Sequence, residues 1–127
     1  MNEEIPKLIQ KSEHAIKVAE SLLAEGFPSD AVSKIYYSMF YAAQALLKSQ
    51  NIHVVKHSAV ESALGFHFVK TAKLDTKYHR SFLDARKLRE YADYDTQERV
   101  VRPQAEVKIK EGKAFLKIVR SIIHKNN

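Results

Sequence analysis

Apolar residues recur three or four positions apart along most of the chain, with charged residues between them, a period that belongs to helices sharing an interior. The pattern is densest over residues 30–49, DAVSKIYYSMFYAAQALLKS, where Val32, Ile35, Met39, Ala42, Ala43 and Leu46 form one stripe. Tyr36, Phe40 and Leu47 widen that stripe beyond what one neighbour would cover, which predicts a central helix. Ser29 or Asp30 can cap its first turn, with Pro28 just outside, and the small pair Ala42 and Ala43 permits close approach of other helices. Tyr37 and Tyr41 fall one turn apart on a polar shoulder beside Lys34, Ser38, Gln44 and Lys48, where a ring can pack while its hydroxyl stays polar.

Four more stretches carry the same period. Residues 3–24 turn Ile5, Leu8, Ile9, Ala15, Ile16, Ala19, Leu22 and Leu23 inward, with Pro6 in the first turn and Glu25, Gly26, Phe27 and Pro28 as stop and turn. The segment QNIHVVKHS has a β-like composition but is too short and isolated for a sheet, so it is expected to be a connecting loop. A helix resumes through Val60, Ala63, Leu64 and Phe68, with Ser58 and Glu61 spaced as a capping box. Gly65 inside it costs about 1 kcal/mol in propensity, which close contact with another helix can offset. Residues 76–92 direct Tyr78, Phe82, Ala85, Leu88 and Tyr91 or Ala92 inward, with Asp75 or Thr76 near the cap. After a break containing Thr96, Arg99 and Arg102, a last helix runs from Arg102 or Pro103 to His124 through Val107, Ala114, Phe115, Ile118 and Ile122. The expected fold class is all-α, an up-and-down helical bundle of four main helices plus a short additional helix, in a single domain over residues 1–127. Its core should hold Ile35, Met39, Ala43, Leu64, Phe68, Phe82, Leu88, Phe115 and Ile118.

Composition narrows the chemistry. With no cysteine among 127 residues there is no thiolate catalyst and no cysteine-based zinc site. No apolar run approaches a membrane span and the polar start lacks a secretory pattern, so a cytoplasmic location without membrane attachment is expected. Lys and Arg outnumber Asp and Glu by 21 to 15, a net +6 that favours anionic partners. The last helix concentrates this charge in Lys108, Lys110, Lys113, Lys117, Arg120 and Lys125, against Glu106 and Glu111. His53, His57 and His67 do not have the spacing of a zinc motif and read as exposed or capping residues; His14 reads as surface or rim, and no metal or other cofactor is expected. His79, Arg86 and Asp93 are seven apart and nearly aligned, and Arg89 and Asp93 form an i,i+4 pair. Residues 86–95 are therefore the best functional candidate.

Three stretches, SKIYYSMFYAAQALL, HSAVESALGFHFVKTAKL and RKLREYADYD, in this order, resemble the HEPN family, in particular its short stand-alone proteins paired with a minimal nucleotidyltransferase. The resemblance implies a helical bundle assembled as a homodimer; family members include ribonucleases and toxin components of toxin–antitoxin pairs, and others without demonstrated catalysis. The family's ribonucleases carry an Arg followed after four to six residues by a His. Here four residues separate Arg89 from Tyr94, which stands where that His is expected. A phenol with a reference pKa near 10 is a poor base at neutral pH. If catalysis exists, Arg89 and Tyr94 would carry it; the ligand-binding set is Arg86, Arg89, Asp93 and Tyr94. The expectation is thus a partner or regulatory subunit of a nucleotidyltransferase-associated toxin–antitoxin system that binds nucleotide or RNA phosphate through its arginines. The alternatives are a metal-independent endoribonuclease toxin and a noncatalytic helical scaffold.

Overall fold

The computed structural model describes residues 3–94 and 100–125, which form helices α1 (Glu4–Ala24), α2 (Pro28–Lys48), α3 (His57–Leu64), α4 (Thr76–Tyr94) and α5 (Arg102–Lys125). All regular structure among the described residues is helical, and the loop after α2 is a loop as expected. The count differs from four main helices plus a short one. α3 is prolonged by a π-helical turn, Gly65–Val69, and α4 and α5 are both full length, with 19 and 24 residues. Asp95, Thr96 and Arg99, which the sequence places in the break before α5, lie outside the described residues.

Local chemistry sets the ends. α1 stops where Gly26, at φ +91°, lets its own amide reach Leu23 O and the Phe27 amide reach Leu22 O, the paired bonds of a left-handed helix stop. Asn51 gives the same stop after α2, with the Ile52 amide bonded to Leu47 O at 3.0 Å. Pro28 is not outside α2 but at its first position, where its missing N–H costs nothing. Asp75 caps α4 by accepting the Lys77 amide at 2.9 Å. The capping box expected of Ser58 and Glu61 does not form: α3 begins at His57 without a side-chain cap, and Glu61 is buried against Arg86 instead.

α2 packs against all four other helices, which accounts for its wide stripe within one chain. It lies antiparallel to α1, since Glu4 pairs with Lys48 and Ser12 with Ser38. α5 also runs antiparallel to α1, through Glu13 with Arg120 and Glu20 with Lys113. Ile35, Met39, Ala43, Leu64, Phe68, Phe82 and Phe115 are fully buried, while Leu88 and Ile118 pack on the core from partly buried positions.

Three assignments change. Ser38 is buried rather than on a polar shoulder, and it exchanges hydroxyl-to-carbonyl bonds with Ser12, at 2.8 and 2.9 Å, so the α1–α2 seam contains a satisfied polar clasp. Val107 and Ala114 are exposed, and the buried face of α5 is Ala105, Ile109, Gly112, Phe115, Leu116 and Val119. Gly112 fixes that rotation: a Cβ there would stand 3.0 Å from Ile35 Cγ2, so the bare backbone is what lets α5 lie against α2.

Candidate functional site

α3 and α4 enclose a cleft of about 610 Å³. α4 supplies His79, Leu83, Arg86 and Glu90, spaced so that one helical face presents them all, and α3 supplies His57, Ser58, Glu61 and Ser62. Close approach depends on Gly65, where a Cβ would sit 3.1 Å from the His79 ring. This is the helix contact expected to offset that glycine. With the space open, His79 Nε2–H donates to the Glu61 carbonyl at 2.9 Å, which fixes its tautomer and leaves Nδ1 as the acceptor of the neutral ring.

Arg86 is the charged centre of the cleft. Its Nε donates to Glu61 Oε1 at 2.7 Å and its guanidinium also reaches Glu90 Oε1 at 3.2 Å. Only 8% of the Glu61 side chain is exposed, and its second oxygen has no hydrogen-bond partner among the described residues, so the carboxylate depends on Arg86. The hydrogen bond from Arg86 to Glu61 raises the guanidinium pKa against the opposing effect of burial, so Arg86 stays charged.

Arg89 faces a different neighbour. Its guanidinium carbon lies 5.4 Å from the Tyr36 ring centroid and 4.9 Å from that of Tyr37, within cation–π range. Its Nε is 3.4 Å from Asp93 Oδ2, an ion pair without hydrogen-bond alignment, and has no hydrogen-bond partner among the described residues. Tyr94, the last residue of α4, is 85% exposed. The structure therefore brings Arg89 to Asp93 and places Arg86 in a separate setting, with Tyr94 at the helix end.

Tyr36 links the two arginine environments. It is fully buried, stacks on Phe82, shares a 3.0 Å hydrogen bond with His57 Nδ1, and offers its ring face to Arg89. Burial pushes its phenol well above the usual range; the charge of Glu61 adds to this, and Arg89 and Arg86 oppose it, so the hydroxyl stays protonated at neutral pH. Sequence reasoning did not place Tyr36, His57 or Glu61 in this site. The available signal was that His57 and Glu61 are one helical turn apart, but a spacing next to a helix start reads equally well as capping. No group of three or more metal-ligating side chains is present among the described residues.

The HEPN domain family profile matches residues 5–125. The chain is 38% identical to "Putative toxin MJ0142" of Methanocaldococcus jannaschii over 97% of this chain and 84% of that protein. It is 31% identical to "Putative toxin MJ0605" of the same organism over 97% and 91%. It is also 30% identical to a UPF0332 protein of Gloeobacter violaceus over 97% and 98%. With nearly the full length matched in each direction and the helical bundle in place, the chain belongs to the HEPN domain family.

Proposed function

We propose that the chain acts as a noncatalytic HEPN partner subunit of a toxin–antitoxin system, and that it binds nucleotide or RNA phosphate through Arg89, oriented by Asp93 and flanked by Tyr94, with Arg86 as a positioning residue that holds Glu61. The observation that carries this reading is the setting of Arg89. A guanidinium resting on two phenol faces and held, among the described residues, by one loose ion pair has donors to offer a phosphate oxygen, while no imidazole occupies position 94 to act as base. The toxin names of the two archaeal relatives support the system, and the family resemblance supports a minimal nucleotidyltransferase as the other component, a cytoplasmic setting and a single domain over the whole chain. Fluorescence anisotropy with a labelled single-stranded RNA tests the binding. Arg89→Ala is expected to weaken it at least about tenfold, or 1.4 kcal/mol, and Lys125→Ala to leave it unchanged; equal affinity of Arg89→Ala and wild type removes the proposed contact.

The same reading pairs two copies about a twofold axis and sets two α4 C-terminal segments side by side. Partly exposed Tyr91 and exposed Tyr94 lie on those segments and offer rings to such a seam. Light scattering across micromolar concentrations should give a dimer mass, and a persistent monomer rejects the pairing.

A second reading has one specific observation in its favour. His57 and His79 line the cleft that holds Arg86, which would supply an imidazole base and a phosphate-stabilising cation to a divergent ribonuclease. Against it, Glu61 and Glu90 already occupy Arg86 and oppose an incoming anion.

A further inference from the structure

A second groove, of about 710 Å³, runs between α1 and α2. One wall presents Lys7, Lys11, His14 and Val18 on successive turns of α1, and the other carries Lys34, Tyr37 and Tyr41 on successive turns of α2. Its floor is apolar, with Ala15 buried and Val18 half-buried, and its rim is cationic. Among the described residues no carboxylate lines it; Glu4, in the adjoining recess, is held by Lys48 at 2.7 Å. The Lys11 ammonium lies 5.4 Å from the centroid of the Tyr41 ring, so cation and phenol already share one surface.

The dimensions and charge select among occupants. From Lys7 to Val18 the α1 wall extends roughly 16 Å at the helical rise, the length of about three turns. A groove between two antiparallel helices, apolar below and basic at the edges, complements a third helix with an apolar stripe and acidic flanks. Self-pairing of this face would set lysine against lysine, and the exposed surface of α5 is basic too. A nucleotide would use the lysines but leave much of the apolar length uncovered.

We propose that the α1–α2 groove docks an acidic amphipathic helix of the partner protein. This rests on the partner-subunit reading but uses none of its phosphate-binding residues. The probe is a fluorescein-labelled three-turn peptide with leucines along one face and glutamates on its flanks, titrated by anisotropy. Binding is expected to be saturable and to fall at least about tenfold for Lys7→Glu/Lys11→Glu/Lys34→Glu. A peptide with lysine flanks should recover binding to that variant. A charge-matched control, Lys87→Glu/Lys117→Glu/Lys125→Glu, should keep the wild-type affinity, as should Tyr94→Ala, at the exposed end of α4, which separates this groove from the phosphate contact. Circular dichroism confirms that each variant is folded. Equal losses in the two triple variants, or no saturable peptide binding, overturns the proposal. ATP binding that is lost in the groove variant while the peptide fails to bind would make this a nucleotide site and overturn it too.

Discussion

Truncation of Phe115 to alanine is expected to remove about 3–5 kcal/mol of stability, whereas truncation of Val107 on the same helix should change it by less than about 0.5 kcal/mol. Phe115 is fully buried with its ring centroid 5.6 Å from that of Phe82, so alanine would leave a cavity between α4 and α5. Val107 is 53% exposed, and its methyls return to water at little cost. Urea denaturation of the two variants measures the contrast through the transition midpoint. Equal losses would mean that α5 is rotated from the orientation set by Gly112 and Ile35.

The second large effect is expected at Arg86. Replacing it with alanine strands the Glu61 carboxylate in a nearly dry position, a situation that costs 3–5 kcal/mol when both partners are fully buried. About 31% of the Arg86 side chain is exposed, so the expected loss is at the lower end, about 3 kcal/mol. Replacing both partners together, in Glu61→Gln/Arg86→Gln, exchanges the charges for amides that can still hydrogen-bond and should recover most of that loss. Thermal melts of the single and double variants check this. A double variant as unstable as Arg86→Ala would show that lost packing, rather than an unpaired charge, is responsible. The expectation also bears on function: Arg86 is a structural cation first, so weakened binding in an Arg86 variant has meaning only alongside its stability.

The helices and most of the core were legible because their signal is local. Met39, Phe68 and Phe82 sit inside strong periods and are fully buried. What escaped depended on distant partners. Ser12 and Ser38 are ordinary polar residues in sequence and become interior only because each satisfies the other across 26 positions. Val107 fits the period of α5 as well as Ile109 does, and the contact of Gly112 with Ile35 decides between faces. In the candidate site, Arg89 with Asp93 was visible as an i,i+4 spacing. Glu61 was hidden because its partner, Arg86, lies 25 residues away on another helix, and the capping reading was the nearest one that local spacing offered. Tyr36 was visible as a residue that widens the stripe of α2, and it is core, but the partners of its hydroxyl and its ring face, His57 and Arg89, lie on other helices and no local spacing reveals them.

In the proposed role an arginine-bearing HEPN surface binds without cutting, because position 94 supplies a phenol in place of an imidazole. Cleavage of a labelled single-stranded RNA in EDTA, by wild type and Arg89→Ala purified side by side, tests this most directly. No cleavage is expected in wild type beyond that in the Arg89→Ala preparation, which carries the same contaminants. Robust wild-type cleavage that disappears in Arg89→Ala would contradict it.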